Sequence, residues 1–76
     1  MQNLNRLEEA IASYDMAIKH NPTYSEVYNN RGLCLRKLNR FDEALASYDM
    51  AIKHNPNNET AINNRKRLLE KLESEL

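Results

Sequence analysis

The 76-residue sequence contains one glycine, two prolines, one cysteine and no tryptophan. A single glycine leaves no glycine-rich loop of the kind that cradles phosphate groups, so that class of nucleotide site is excluded. A single cysteine, Cys34, cannot form a disulfide within the chain, which favours a reducing compartment. Apolar runs are only a few residues long and the first ten residues include acidic side chains, so we expect no membrane span, no targeting segment and a cytoplasmic location.

Neither sign of charge is in excess. Eleven Lys and Arg residues stand against eleven Asp and Glu residues, which gives a net charge near zero. A protein that binds nucleic acid or an anionic membrane surface is expected to carry a surplus of basic residues. The composition therefore argues against both kinds of partner, and we expect neither nucleic acid nor membrane.

An internal repeat with a period of 34 residues covers most of the chain. A shift by 34 superimposes residues 4–37 on residues 38–71, and 21 of the 34 positions are identical. The segment ASYDMAIKHNP occurs unchanged at residues 12–22 and 46–56. A period of this length is typical of arrays in which each unit is one pair of packed helices.

Helix signals within each unit predict an all-α fold. Apolar residues recur at i, i+3, i+4 and i+7, as on one face of an amphipathic helix. Asn-Pro pairs at 21–22 and 55–56 each end a helix, because proline disfavours the helical conformation in the preceding residue. Asn39 is expected to turn the chain in a left-handed conformation, and Thr23 with Glu26 forms a capping-box pattern. The predicted helices span residues 5–20, 24–37, 41–54 and 58–75.

The period and the residues at its fixed positions resemble the tetratricopeptide repeat family. Each repeat of that family has a first helix, A, with a bulky aromatic residue four positions before a glycine, and a second helix, B, marked by small residues, an aromatic and a proline. The matching residues here are Tyr28, Gly32, Leu35, Ala44, Tyr48, Ala51 and Pro56. The resemblance implies one domain over residues 1–76, a fragment of an α-α superhelix (solenoid) with four antiparallel helices. It also implies a non-catalytic role in binding other proteins.

This resemblance places the chain out of phase with the repeat. Residues 5–20 correspond to a helix B without its own helix A, and residues 24–54 to one full repeat. Residues 58–75 correspond to a further helix A, which we expect to act as a C-terminal cap. Lys66 stands there in the place that Gly32 takes in the full repeat, as expected if no helix B packs on it.

The resemblance also implies a concave groove lined by the A helices, in which proteins of this family bind extended peptides. Side-chain amides can bond both the N–H and the C=O groups of an extended peptide, and arginines can bind its carboxylates. The candidate groove residues are Glu26, Asn29, Asn30, Leu33, Arg36, Lys37, Thr60, Asn63, Asn64 and Arg67. The alternative is a solvated polar face without a specific ligand. Some family members grip acidic C-termini with a carboxylate clamp, but only Asn30 matches that pattern, so such a ligand is not expected.

The first predicted helix carries an apolar face that no helix A of this chain covers. Its candidate residues for self-association are Leu7, Ala10, Tyr14 and Ala17. We expect a homo-oligomer, with a dimer favoured, and three modes remain open: a symmetric dimer, a head-to-tail stack, and an exchange of helices. An engineered or structural repeat fragment with no specific ligand is the alternative, which the near-identical repeats favour.

Two arginines occupy positions where the resemblance implies an apolar residue. A buried arginine needs a partner for its charge. Asp15 lies sixteen residues before Arg31, and Asp49 lies sixteen residues before Arg65. We therefore predict two ion pairs of the same geometry, Arg31 with Asp15 and Arg65 with Asp49.

The remaining reactive side chains do not form a convergent set. His20 and His54 lie a full repeat apart, and their positions at helix C-termini are explained by the helix dipole. Cys34 lies on an apolar face and is expected to be a buried, inert thiol. We therefore predict no enzyme activity, no metal site and no cofactor.

Overall fold

Four α-helices account for most of the described chain. The structure is a computed structural model that describes residues 4–76. The helices are α1 (Leu4–His20), α2 (Ser25–Lys37), α3 (Phe41–His54) and α4 (Glu59–Ser74). Each end lies within one residue of the end predicted from the sequence, and no strand occurs among residues 4–76. The all-α prediction is therefore confirmed.

Asn21, and not the predicted capping box, organises the turn between α1 and α2. The Thr23 hydroxyl donates a hydrogen bond of 3.0 Å to Asn21 Oδ1, and the Thr23 N–H donates to the same oxygen at 3.3 Å. Helix α2 begins at Ser25 with Tyr24 as its N-cap and no side-chain cap bond. The capping-box prediction is wrong because Thr23 lies before the N-cap position and its side chain belongs to a turn stabilised by Asn21.

Asn39 makes the turn between α2 and α3 in the predicted left-handed conformation, with φ of 64°. The Asn39 N–H donates to the Arg36 carbonyl at 2.9 Å, and the Arg40 N–H donates to the Leu35 carbonyl at 2.9 Å. This pair of bonds is a Schellman motif, which satisfies carbonyls that the end of a helix would otherwise leave free. The motif ends α2 and turns the chain so that α3 packs against it.

Helix α2 lies at the centre of the fold. Each helix packs against the next along the chain, and α2 also contacts α4. The main core cluster consists of Leu7, Ile11, Cys34, Leu35, Ala44, Tyr48 and Leu68, which come from all four helices. A second cluster is formed by Tyr28, Ala51 and Ala61 from α2, α3 and α4. Both clusters contain α2 residues, so this helix connects the two parts of the core.

The close approach of α2 to α3 depends on Gly32. A Cβ atom on Gly32 would lie 2.5 Å from Tyr48 Cε1 and 2.7 Å from Tyr48 Cδ1. Tyr48 is completely buried, so its ring cannot move away into solvent. Lys66 takes the equivalent place in α4, where its side chain is exposed. A glycine is therefore present where a neighbouring aromatic ring lies against the helix and absent where the surface is open.

Arg31 joins three helices. Its Nε donates to Asp15 Oδ1 on α1 at 2.7 Å, and its Nη1 donates to Ser47 Oγ on α3 at 2.7 Å. In the next unit, Arg65 Nε donates to Asp49 Oδ1 at 2.6 Å. Both predicted ion pairs are confirmed. More than half of the Asp15 side chain is exposed, so the ion pair itself contributes at most about 1 kcal/mol to stability.

We expect Gly32→Ala to lower the free energy of unfolding. Overpacking against the buried Tyr48 ring costs about 1–3 kcal/mol, which exceeds or cancels the gain of about 1 kcal/mol that alanine brings to a helix interior. Lys66→Ala is the matched control at the exposed equivalent position and should change stability by less than about 0.5 kcal/mol. Urea unfolding followed by circular dichroism measures both variants. A clearly stabilised Gly32→Ala protein would contradict the steric argument.

Ser47→Ala should lower the free energy of unfolding by about 1 kcal/mol, because Arg31 Nη1 loses its acceptor in a largely buried place. Ser13 occupies the same position in the identical repeated segment but is exposed. Ser13→Ala therefore changes the same atoms with the same helix propensity and should leave stability within about 0.5 kcal/mol of the unchanged protein. Equal effects of the two substitutions in urea unfolding would rule out a stabilising role for the hydrogen bond.

Candidate functional site

The predicted groove residues of α2 lie along one stripe of that helix. Asn29 and Asn30 lie three and four residues after Glu26, and Leu33 and Lys37 lie three and seven residues after Asn30, so these residues share one helix face. Glu26, Asn30 and Lys37 are exposed, whereas Leu33 is half-buried and Asn29 is buried. The stripe is therefore polar and accessible, with its floor made by Leu33 and Asn29.

The predicted groove residues of α4 lie beside this stripe. Asn64 Nδ2 donates to Asn29 Oδ1 at 3.0 Å, which fixes α4 next to α2. Asn64 is half-buried by this contact, while Thr60, Asn63 and Arg67 are exposed. Arg36, on α2, is half-buried, and its Nε is buried without a hydrogen-bond partner among the described residues. The structure therefore brings the α2 and α4 candidates onto adjoining surfaces but buries Arg36 in part, including its Nε.

One part of the groove deepens into a cleft between the start of α2 and the turn that connects α3 to α4. The cleft has a volume of about 380 Å³ and is lined by five asparagines, two glutamates and one threonine. The residues predicted from the sequence are Glu26, Asn29, Asn30 and Thr60; the others are Asn55, Asn57, Asn58 and Glu59. These four residues of the turn and the start of α4 were missed because the prediction considered only groove-facing positions within the helices. The asparagine-rich run NPNNE that contains them is visible in the sequence.

Asn58 holds one wall of the cleft in place. Its Oδ1 accepts a hydrogen bond of 3.1 Å from the Ala61 N–H and so caps α4, while its Nδ2 donates to Ser25 Oγ at 2.9 Å. Ser25 Oγ in turn donates to the Ala51 carbonyl at 2.7 Å in a buried position. This chain of bonds connects the ends of α2, α3 and α4. The cleft is therefore supported by an ordered network and is not a gap between loose loops.

One face of α1 is only partly covered. We define the open α1 face as Ala10, Ser13, Tyr14 and Ala17, whose counterparts in α3 are Ala44, Ser47, Tyr48 and Ala51. The three apolar counterparts are completely buried and Ser47 is 2% exposed, because residues of α2 and α4 pack around α3. On α1 the three apolar residues are half-buried and Ser13 is exposed. Nearly identical sequences thus bury different amounts of the same face.

Leu7 does not belong to the open α1 face. Leu7 and Ile11 are each 7% exposed and both lie in the main core cluster. Because they are four residues apart, they form one stripe of α1, and that stripe packs into the chain's own core. The sequence-based inclusion of Leu7 among the self-association residues is therefore corrected. Met16, which is 54% exposed, lies one turn beyond Ser13 at the margin of the open face.

The reactive side chains are separate from the groove. Cys34 is buried in the main core, and burial raises the pKa of its thiol, an effect that the positive charge of Lys37 partly offsets. His20 is exposed, whereas His54 stacks on Tyr28 with 5.6 Å between ring centroids. Within residues 4–76 no group of three His, Cys, Asp or Glu side chains is placed to hold a metal ion.

The raised pKa of Cys34 predicts a loss of stability at alkaline pH. The folded state holds the thiol proton more tightly, so the stabilising contribution is complete below the ordinary thiol pKa of about 8.5 and is lost as the pH rises through the folded-state value. Urea unfolding between about pH 7 and pH 9, below the ordinary tyrosine pKa of about 10, measures the onset of this loss. Cys34→Ala should show a smaller fall over the same range, and an equal fall in both proteins would contradict the assignment.

None of the helices within residues 4–76 is both long enough and apolar enough to cross a bilayer.

Comparison with known families finds two matches, and both are to the same kind of repeat. A family profile described as "Tetratricopeptide repeat" matches residues 25–58, and one described as "TPR repeat" matches residues 3–37. A comparison with curated proteins finds no match. The two profiles together extend from α1 to the turn before α4, and the fold is the all-α arrangement that such repeats form. Repeats of this kind generally mediate interactions between proteins. The chain therefore belongs to the tetratricopeptide repeat family.

Proposed function

We propose that this chain is a non-catalytic protein-interaction module that associates with a second copy of itself through the open α1 face. The observation that carries the proposal is the contrast between the two copies of the repeated segment. In α3, the face formed by Ala44, Tyr48 and Ala51 is completely buried against residues of α2 and α4. In α1, the same face keeps part of its apolar surface in contact with water. If a partner covered this face of α1, Ala10, Tyr14 and Ala17 would become as buried as their counterparts in α3.

The size of the open α1 face indicates a weak association. Complete burial of a large apolar side chain is worth about 1.5–3 kcal/mol, and Tyr14 is the one large side chain of this face. The alanines add small areas but allow a partner helix to approach closely. An interface of this extent lies at the low end of specific protein interfaces, so we expect a dissociation constant no tighter than about 1 μM.

The residues of α4 argue against a head-to-tail stack in the geometry of the repeat. In such a stack, α4 of one copy would cover α1 of the next as α2 covers α3. Lys66 would then take the place of Gly32, where even a Cβ atom lies 2.5 Å from the tyrosine ring. Glu59 would replace Ser25, whose hydroxyl donates to the Ala51 carbonyl, and an ionised carboxylate cannot donate that bond.

The contacts of α1 argue against an exchange of this helix between chains. Leu7 and Ile11 lie in the core, and Asp15 is bonded to Arg31. An exchange must break these contacts before it can form them again in another copy, whereas a symmetric dimer leaves them intact. Among the three modes we therefore favour the symmetric pairing of two open α1 faces.

Peptide binding in the groove is the second candidate function. It is supported by the stripe of accessible polar residues on α2 and by the ordered cleft at the α3–α4 turn.

The cytoplasm remains the compartment we propose, because the one cysteine is a buried free thiol. The competing proposal is a structural or engineered repeat fragment with no specific ligand, which would neither dimerise nor bind peptides.

Ala17→Lys should shift the protein towards the monomer, because it places a charge within the open α1 face. We expect the apparent dissociation constant to rise about tenfold or more, as for a charge buried without a partner in an interface. Ala12→Lys is the matched control: Ala12 belongs to the same repeated segment but lies on an exposed part of α1 outside this face. Light scattering over a range of protein concentrations measures the mass of each variant, and circular dichroism shows that both remain folded.

Three results would contradict the proposal. A monomer at all accessible concentrations would remove self-association altogether. Equal effects of the Ala17 and Ala12 substitutions would place the interface elsewhere. A mass that grows beyond the dimer with concentration would favour an open stack over the symmetric mode.

A further inference from the structure

The cleft at the α3–α4 turn carries negative charge without a counter-charge. Glu26 and Glu59 are exposed carboxylates at its edge, and none of its eight lining residues is basic. Neither carboxylate has an ion pair or a hydrogen bond with another described residue. Arg36, Lys37 and Arg67, the basic residues predicted for the groove, are not among the residues that line the cleft. The cleft and the basic part of the groove are therefore electrostatically different.

The positive ends of two helix dipoles partly offset the negative charge of the cleft. The size of the two charges decides whether the cleft attracts a cation or an anion. Glu26 and Glu59 lie in the first turns of α2 and α4. Each helix N-terminus carries the equivalent of about half a positive charge, so the two together offset about one of the two negative charges. The cleft therefore keeps a net charge of about −1 and attracts a cation more strongly than an anion.

A buried amide in the cleft lacks a complete set of partners. The Asn29 residue is 5% exposed and lines the cleft. Its Oδ1 accepts the bond from Asn64, while its Nδ2 makes no hydrogen bond to another described residue. An acceptor that enters the cleft can bond this Nδ2, which would fix the orientation of the ligand. A backbone carbonyl of an extended peptide is such an acceptor, and its N–H groups can bond the neighbouring asparagine oxygens.

We infer that the cleft binds a basic peptide segment, in which a lysine or arginine side chain lies between Glu26 and Glu59 and the adjacent backbone carbonyl accepts a hydrogen bond from Asn29. The inference rests on the proposed peptide-binding function of the groove and adds the charge of its ligand. The ligand inferred here is basic, whereas the carboxylate clamp of some family members binds acidic C-termini. The cleft shares no residue with the open α1 face, so the two interactions are independent.

The test uses the isotope-labelled 76-residue chain and three short peptides. The peptides share one neutral sequence and differ only in carrying Lys, Gln or Glu at the same positions. Two-dimensional amide NMR spectra report which residues of the protein respond to each peptide. We expect the Lys peptide to shift the signals of Glu26, Asn29 and Thr60 and to bind at least about threefold more tightly than the Gln peptide, as for one exposed ion pair. The Glu peptide should bind more weakly than the Gln peptide.

Charge removal supplies the matched variants. The double substitution Glu26→Gln with Glu59→Gln should weaken binding of the Lys peptide about threefold or more and leave the Gln peptide unchanged. The control is Glu70→Gln with Glu73→Gln, which removes two exposed carboxylates of α4 that do not line the cleft. It changes the net charge by the same amount, so it separates a local effect from general attraction.

The two possible failures are distinguishable. If no peptide shifts any groove signal, peptide binding itself is wrong and the inference falls with it. If all three peptides shift the cleft signals equally, or if both double variants weaken the Lys peptide to the same extent, the groove binds peptides but the cleft does not select a cation. A cleft that responds to sulfate and not to the Lys peptide would show that the helix N-termini outweigh the carboxylates, which also overturns the inference.

Discussion

The spacing between α2 and α3 is the constraint on which the rest of the structure depends. Tyr48 fills the space between these helices, and it fits because Gly32 has no side chain to meet its ring. With α2 held at this distance, its opposite side is free to carry the polar stripe that faces the groove. The same position of α2 brings Arg31 within reach of both α1 and α3. The core, the inter-helix bonds and the candidate site therefore all follow from one close contact.

Helix α4 is attached by a different kind of contact. It reaches α2 through the Asn29–Asn64 bond and through Asn58, which joins the cap of α4 to Ser25. These bonds are directional and need both partners, so they fix the position of α4 more narrowly than apolar contact alone would. The residues that make these bonds also line the cleft or lie next to it. The residues that hold the last helix and the residues that could meet a ligand are therefore partly the same.

The helices were predictable because their signals are local. Apolar spacing, the Asn-Pro pairs and the left-handed Asn39 each depend on a few neighbouring residues. The two ion pairs are not local, but the repeat indicated them because it places Arg31 and Arg65 at the same distance from Asp15 and Asp49. Leu7 was misplaced because which side of α1 faces α2 depends on the packing of the whole helix. The turn residues of the cleft were missed because they become neighbours of α2 only after the chain folds back. The two copies of ASYDMAIKHNP make the limit plain, since one sequence has two degrees of burial.

Lys66 also bears on how an array of this kind can lengthen. A tandem duplication that placed another copy of α3 after α4 would set its tyrosine against a lysine, at a contact where a Cβ atom alone lies 2.5 Å from the ring. The added unit would lack the close contact that holds the existing one. A unit added after α4 in this way therefore requires a substitution at position 66 before the extra helices make that close contact. One side chain sets the order in which mutations can extend the repeat.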